Sequence, residues 1–279
     1  MFDDLVVALD GSACAQRAFD LALALTRTLG SRLVVCSVAG AVPALAQGES
    51  EAQLIVGDAV ARARADGIAT RECVELGEPA NQIVGCAARH RAGAIVIGTH
   101  GRSGIKRMLV GSVAEGVLRS ARIPVFIVRE EARIAPLASS ILAPVDGSDT
   151  STKALDAATE LAATLGAELV ICHVVDLAKA AALSGGEAQL VPGSLEILQS
   201  DGREILARAC ERAARRAKVS SRSAEGMPVE EIERLAGELR PALIAIGSHG
   251  RSGLERVLMG SVAEGVVRSA PVPVMVVPR

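Results

Sequence analysis

A glycine-rich loop that also carries a histidine, an arginine and a serine occurs twice in this chain of 279 residues. The first copy spans residues 98–104 and is followed by Gly111-Ser112, and the second copy spans residues 247–253 and is followed by Gly260-Ser261. Over the 23 positions that begin at Gly98 and at Gly247, 17 are identical. A simple turn needs only a glycine, so the repetition of the polar residues indicates a shared chemical role.

The composition of this loop suits a phosphate chain. Glycines let the backbone adopt positive φ and approach a ligand closely, and a helix predicted to begin at Ser112 offers a capping hydroxyl and free N–H groups for an anion. The alternative is a tight turn followed by a capped helix. The loop is not a P-loop, because Gly111 and Gly260 stand where the lysine before the serine would be, and no GxGxxG motif follows the first strand of either half.

Charged residues around the loop could contact a nucleotide. Arg102 and Arg251 could reach terminal phosphate oxygens or be solvated loop charges, which leaves both interpretations open. His100 and His249, between glycine and threonine or serine neighbours, are expected to be exposed, and a positional role is favoured over catalysis. No catalytic residue is therefore predicted.

An Asp-Gly-Ser sequence follows the first apolar run of each half. Asp10 and Asp146 stand 136 residues apart at these two positions. A carboxylate there could bind ribose hydroxyls or help to hold a metal-bound phosphate, or it could cap the following helix. One residue could do both.

The elements that position these residues alternate between apolar strands and amphipathic helices. For the first half we expect a helix at residues 13–29, a loop at 39–48, a helix at 49–65 and a strand at 70–76, followed by further helices and strands. Such alternation predicts an α/β fold with two tandem, doubly wound parallel sheets, each of five strands in the order 3-2-1-4-5 with helices on both faces. The predicted domains are residues 1–130 and 138–279. In this order the ends of strands 1 and 4 meet at one crevice.

Composition excludes several functions. A net charge of −2, with no Trp, no Tyr and three Phe, argues against nucleic-acid binding. No apolar run reaches the roughly 18 residues that a membrane span needs, and the acidic start is not that of a signal peptide, so we expect a cytoplasmic protein. The six cysteines are scattered without CxxC spacing and are expected to be buried, reduced thiols.

The pattern Gly-x2-Gly-x9-Gly-Ser, present at Gly98 and again at Gly247, resembles the ATP-binding motif of the universal stress protein family. The first strands ending in Leu-Asp-Gly-Ser and Val-Asp-Gly-Ser and the closing Ile-Pro-Val and Val-Pro-Val strands are similar too. The resemblance covers nearly the whole chain and implies a tandem protein of the nucleotide-binding branch, with ATP and Mg²⁺ in each domain and the metal held mainly by the phosphates.

The resemblance also implies roles for individual residues. Asp10 and Asp146 would face the ribose, the backbone of Val38 and Val174 would meet adenine, and Ala8 and Pro144 would line the base pocket. The phosphate end and the remaining predicted ATP contacts comprise Ile97, Gly98, Gly101, Arg102, Gly104, Gly111, Ser112 and Val113, with Ile246, Gly247, Gly250, Arg251, Gly253, Gly260, Ser261 and Val262 as their counterparts. The chain departs from the family at Gly93 and Ala242, where an acidic residue is common, and at Ala8, which replaces the proline present as Pro144.

The function implied is a nucleotide-linked regulator in the stress response, with protein partners that the sequence does not name. Alternatives are a slow ATPase or phosphotransferase, and a partner-binding structural protein with vestigial loops. The short fifth strands, at residues 124–128 and 273–277, are apolar sheet edges that need a covering partner. The family's members dimerise through this strand, so we expect the two copies to pair antiparallel within one chain, and a homodimer of two chains is a further possibility.

Overall fold

The computed structural model describes residues 2–40, 45–101, 110–178, 194–250 and 259–279. The chain divides into two compact units, chiefly Met1–Ile134 (unit 1) and Ala135–Val277 (unit 2). The domain bounds expected from the sequence stay a prediction. Among the described residues, no helix is both long enough and apolar enough to cross a membrane.

Unit 1 alternates five strands with helices. Its elements are β1 (Asp4–Ala8), α1 (Ala13–Leu29), β2 (Arg32–Ala39), α2 (Leu45–Ala65), β3 (Thr70–Leu76), α3 (Pro79–Arg89), β4 (Ala94–Gly98), α4 (Ser112–Ser120) and β5 (Val125–Val128).

Unit 2 repeats the same succession. Its elements are β6 (Ser140–Pro144), α5 (Asp149–Leu165), β7 (Glu168–Asp176), α6 (Ser194–Ala214), β8 (Lys218–Gly226), α7 (Pro228–Leu239), β9 (Leu243–Gly247), α8 (Ser261–Ser269) and β10 (Val274–Val277).

All strand pairs within each unit are parallel, which confirms the predicted doubly wound fold. Strand β1 lies between β2 and β4, with β3 and β5 outside them, and β6 lies between β7 and β9 in the same way. The central strands β1, β4 and β9 are buried along their whole length, because helices cover both faces. The expected order 3-2-1-4-5 is therefore found in each unit.

Local sequence accounts for most element ends. Helix α1 begins after Ser12, whose hydroxyl accepts a hydrogen bond from the Ala15 N–H at 3.2 Å, and it ends at Gly30, which adopts a left-handed φ of 66°. The predicted helix 13–29 is confirmed. The prediction for α2 was wrong at its start, because the helix begins at Leu45, inside the loop expected at residues 39–48. That stretch contains Gly40, Pro43 and Gly48, residue types that are common in loops.

Pairing of the two fifth strands and association of two chains stay predictions.

Candidate functional site

The carboxyl ends of β6, β7 and β9 and the start of α8 surround a cleft in unit 2 with a volume of about 440 Å³. This is the position at which ligands enter doubly wound sheets, because the chain reverses direction between the first and fourth strands there. Every predicted unit 2 residue that the structure describes lines this cleft: Pro144, Asp146, Val174, Ile246, Gly247, Gly250, Gly260, Ser261 and Val262. Arg251 and Gly253 lie outside the described residues.

The corresponding residues of unit 1 lie at the same end of its sheet. Each of the first three lies among the last two residues of its strand: Ala8 in β1, Val38 in β2 and Ile97 in β4. A hydrogen bond from the Leu9 N–H to the Cys36 carbonyl, 2.8 Å long, sets the end of β1 beside β2. The predicted phosphate-end residues described here are Gly98, Gly101, Gly111, Ser112 and Val113, whereas Arg102 and Gly104 lie outside the described residues.

The aspartate of each Asp-Gly-Ser sequence makes a local turn. Asp10 Oδ1 accepts a hydrogen bond from the Ser12 N–H at 3.0 Å, and Asp146 Oδ1 accepts one from the Ser148 N–H at the same distance. The helix caps are Ser12 and Ser148, so the interpretation of the aspartates as caps was wrong. Each half-buried carboxylate is instead held by the turn beside the glycine loop.

The loop glycines are required for close approach between chain segments. An added Cβ at Gly101 would lie 2.5 Å from Asp10 Oδ2, and one at Gly250 would lie 2.8 Å from Asp146 Oδ2. The expectation that these glycines supply positive φ was wrong for those that are described. Positive φ occurs instead at Gly11 (81°) and Gly147 (80°), directly after each aspartate.

The loop returns to the sheet through one backbone hydrogen bond in each unit. The Gly111 N–H donates to the Thr99 carbonyl at 2.7 Å, and the Gly260 N–H donates to the Ser248 carbonyl at 2.8 Å. These bonds fix the start of the following helix next to the end of β4 or β9. The same geometry in both units explains why the spacing of the motif is identical.

Helices α4 and α8 begin without a side-chain cap. Their N-cap residues are Gly111 and Gly260, and neither makes a side-chain capping hydrogen bond. The expectation that Ser112 caps its helix was wrong, because Ser112 and Ser261 are the first helical residues and are exposed. The first amides of a helix have no partner within it, so an uncapped start directs several N–H groups and a positive dipole end outward, toward the cleft in unit 2.

Two histidines of the loop are half-buried rather than exposed as expected. His100 Nδ1 lies 3.0 Å from Thr99 Oγ1, and His249 Nδ1 lies 3.0 Å from Ser248 Oγ. His249 lines the unit 2 cleft. These neighbouring hydroxyls orient the rings, which agrees with a positional role.

Sequence reasoning missed a second histidine at the unit 2 cleft, in addition to His249. His173, in β7 and 8% exposed, donates a hydrogen bond from Nδ1 to the Val145 carbonyl at 2.7 Å. Gly202 of α6 leaves room for this ring, since a Cβ there would lie 2.7 Å from His173 Cδ2. The signal for it in the sequence is a histidine within an otherwise apolar strand. The cleft is also lined by Asp176, Leu198, Asp201, Pro228 and Ile232, which the sequence analysis did not single out.

Comparison with known proteins identifies the family. The model of the family described as "Universal stress protein family" matches residues 1–129 and 138–278. The universal stress protein MJ0531 of Methanocaldococcus jannaschii is 36% identical over 145 residues, which are 51% of this chain and 84% of that protein. Universal stress protein Rv2005c of Mycobacterium tuberculosis is 28% identical over 198 residues, and the matched part spans 60% of its length and 65% of this chain.

A solved structure matches the whole chain. The crystal structure of a universal stress protein from Archaeoglobus fulgidus is superposed with a TM-score of 0.75 at 22% identity, covering 99% of this chain and 98% of that one. At this identity the likeness supports the fold alone. With both halves matched by the family, the chain belongs to the universal stress protein family.

Proposed function

We propose that this protein binds one adenine nucleotide in each unit and acts as a nucleotide-linked regulator in the stress response. The observation that carries the proposal is the cleft of about 440 Å³ in unit 2, which is lined by all of the predicted unit 2 residues that are described. Pockets for small ligands span about 300–1,000 Å³. Unit 1 carries the same motif and the same turn at Asp10, which supports a second site.

The two ends of the cleft differ in a way that matches a nucleotide. At one end, the uncapped start of α8 offers amide donors at Ser261 and Val262, which suit phosphate oxygens. At the other end, Pro144 and Val174 present apolar surface and strand backbone, which suit a purine. Asp146, two residues after the end of β6, also lines the cleft, and a carboxylate there can accept hydrogen bonds from ribose hydroxyls.

The residues of the cleft also fit Mg²⁺ entering with the phosphates. This ion keeps several waters and is usually held by one or two carboxylates together with substrate phosphates. Carboxylates of Asp146, Asp176 and Asp201 line the cleft and could supply that contact. The ion would neutralise phosphate charge in the bound nucleotide.

The direct experiment is an equilibrium titration of nucleotide-free protein with Mg-ATP. We expect two sites, and competition with AMP and cAMP ranks their preferences. Absence of any thermal shift, together with no nucleotide released from purified protein, would instead support vestigial loops. Turnover of ATP at about 1 s⁻¹ or faster would support an enzyme.

A site-specific variant is available in unit 2. An added Cβ at Gly260 would lie 3.4 Å from the nearest described atoms, so Gly260→Ala is expected to leave the fold intact while filling space at the start of α8. We expect one of two sites to weaken. Gly237→Ala, on α7 where a Cβ meets open space, is the matched control and should retain both sites.

We also propose that the fifth strands pair within the chain, as the resemblance implies. Support comes from β5 and β10, which are short, apolar and last in the strand order of their own units. Val274→Lys should increase proteolysis between residues 129 and 137. Unchanged cleavage would argue against the pairing.

A further inference from the structure

Three buried cysteines of unit 1 lie together, although their sequence positions are scattered. Cys36 on β2 and Cys73 on β3 are opposite one another in the strand register, and Cys86 is on α3, which packs against both strands. Their three Sγ atoms all lie within 4.8 Å of one another. Cys36 and Cys86 are fully buried, and Cys73 is 6% exposed. The three are buried, free thiols as expected, but they form a cluster that their scattered sequence positions did not indicate.

We propose that Cys36, Cys73 and Cys86 form a binding site for one Cu(I) ion held by three sulfur ligands. Soft thiolate ligands select Cu(I), zinc or iron–sulfur clusters over hard ions that prefer oxygen. The cluster lies among β2, β3 and α3, and none of its three cysteines is a predicted nucleotide contact.

The geometry suits an ion with three ligands. An ion about 2.3 Å from three sulfurs in one plane needs S···S separations of about 4 Å. The sulfur atoms lie at most 4.8 Å apart, so the side chains would have to move by less than about 1 Å to reach this separation. Structural zinc sites are almost always tetrahedral with four ligands, and among the described residues the group contains only the three cysteines.

An ion pair lies beside the cluster. Arg89 Nη2 lies 4.0 Å from Cys73 Sγ and also pairs with Glu75, whose Oε1 lies 3.4 Å from the same sulfur. Each thiol that becomes a ligand releases its proton to solvent, and the guanidinium of Arg89 lies close enough to offset part of the negative charge that results.

A route to the cluster is present at the sheet edge. Strand β3 is the outer strand of unit 1, and Cys73 is the least buried of the three ligands. The side chains of Glu75 and Arg89 beside it are 26% and 52% exposed. An ion can therefore approach from solvent past this ion pair.

Unit 2 lacks the cluster and provides an internal control. Cys172 of β7 stands 136 residues after Cys36, but its partner in the register is Arg222. Leu235 of α7 stands 149 residues after Cys86, the offset that relates Gly98 to Gly247. The counterpart positions of unit 2 therefore supply one thiol where unit 1 supplies three.

The test is an anaerobic titration of the reduced full-length chain with Cu(I) in competition with a chromophoric Cu(I) chelator. We expect each chain to take one Cu(I) ion from the chelator. Cys73→Ser or Cys86→Ser should weaken the affinity for Cu(I) by about 100-fold or more. Cys172→Ser is the matched control, and its affinity for Cu(I) should lie within about threefold of that of the unchanged protein. Equal binding by Cys73→Ser and the unchanged protein would overturn the proposal.

A spectroscopic measurement on the unchanged protein keeps the test independent of variant folding. X-ray absorption of the Cu(I)-loaded chain should show three sulfur neighbours at about 2.3 Å. Two sulfurs, or nitrogen and oxygen neighbours, would overturn the site, as would tighter retention of Zn(II) than of Cu(I). Disulfide formation within the trio by a mild oxidant, to the same extent with and without bound Cu(I), would also contradict it.

Discussion

The two units share one backbone arrangement at the candidate site and differ in the side chains beneath it. In both, an aspartate accepts a hydrogen bond from the amide two residues later, and a loop glycine donates to the carbonyl of the residue that follows β4 or β9. Beneath this arrangement, unit 1 has Ser37 where unit 2 has His173, and Cys14 where unit 2 has Thr150. The repeat thus fixes where backbone donors lie, whereas the two interiors have diverged.

The difference at Cys14 and Thr150 shows how one position can anchor the loop in two ways. The Cys14 thiol donates to the Val128 carbonyl at 3.0 Å and lies 3.4 Å from Thr99 Oγ1. The Thr150 hydroxyl donates directly to the His249 carbonyl. In unit 1 the corresponding loop carbonyl, that of His100, instead accepts a long hydrogen bond of 3.4 Å from the Ser12 hydroxyl. We therefore expect the unit 2 loop to be held more tightly, because its hydroxyl donor lies closer to the loop carbonyl.

The substitutions with the largest expected effect on stability disrupt the shared backbone arrangement at its tightest contact. An added Cβ at Gly247 would lie 2.6 Å from the Thr150 carbonyl carbon, and one at Gly98 would lie 2.9 Å from that of Cys14. Since backbone cannot move aside as a flexible side chain can, Gly247→Ala should destabilise its unit by about 3 kcal/mol and Gly98→Ala by about 2 kcal/mol. Denaturant unfolding, with hydrogen exchange to assign the unit, measures both.

Gly237→Ala controls for the added methyl group. Its Cβ meets open space on α7, so it should stabilise the protein by about 0.5–1 kcal/mol, as alanine does within a helix. A Gly247→Ala variant as stable as this control would show that β9 and α5 separate more easily than their packing indicates.

Much of this architecture could be predicted from the sequence, because it depends on local signals. Helix α1 was predicted from its apolar periodicity between Ser12 and Gly30, and the strand order followed from right-handed crossovers. The residues that line the unit 2 cleft were predicted from the family resemblance, which depends on short motifs. The start of α2 at Leu45 was missed, since nothing at residues 39–48 has the character of a helix cap.

Other features could not be predicted, because they depend on packing between distant segments. Cys36 and Cys73 meet only through the strand register, and Cys86 joins them only through the packing of α3. The need for glycine at Gly101 likewise comes from Asp10, which is far away in the chain. Short-range motif spacing carries no information on such contacts.

The next prediction removes a side chain that unit 2 has and unit 1 lacks. His173→Ser installs the residue present as Ser37, leaves a cavity beside Gly202 and removes a donor from the buried Val145 carbonyl. We expect a loss of about 2 kcal/mol in the stability of unit 2. His173→Asn, whose amide nitrogen can replace Nδ1, should recover part of it. Thermal or denaturant unfolding measures the difference in stability. Equal losses of stability in both variants would show that the volume of the His173 ring matters and its hydrogen bond does not.

A third prediction tests whether the two proposed sites are independent. Gly101→Ala forces its Cβ to within 2.5 Å of Asp10 Oδ2, and Gly250→Ala to within 2.8 Å of Asp146 Oδ2, so each carboxylate must move. Nucleotide affinity should fall about tenfold, or about 1.4 kcal/mol, in the substituted unit only. Titration with Mg-ATP should show one weakened and one unchanged site. Two unchanged sites in both variants would contradict the assignment of the loop.

The smallest expected effect compares two carboxylates whose pKa values shift in opposite directions. Hydrogen bonds from Ser220 and Lys218 lower the pKa of Glu168 in unit 2 below its ordinary value, and burial raises the pKa of Glu75 in unit 1. The stabilisation from Glu168 is therefore present above the ordinary carboxyl pKa and is lost as the pH falls through the lower folded value. For Glu75 the ionised form is disfavoured by folding, so its cost is present at neutral pH and disappears as the pH falls below the ordinary value.

Glu168→Gln and Glu75→Gln separate these contributions when unfolding is measured between neutral and acid pH. The stability advantage of Glu168 over glutamine should be a few tenths of a kcal/mol at neutral pH, because the pair with Lys218 is largely exposed, and should shrink on acidification. The difference between Glu75 and glutamine should change in the opposite direction, with the unchanged protein gaining relative to Glu75→Gln as the pH falls. Parallel pH profiles for the two variants would show that the two strands give their carboxylates equivalent surroundings.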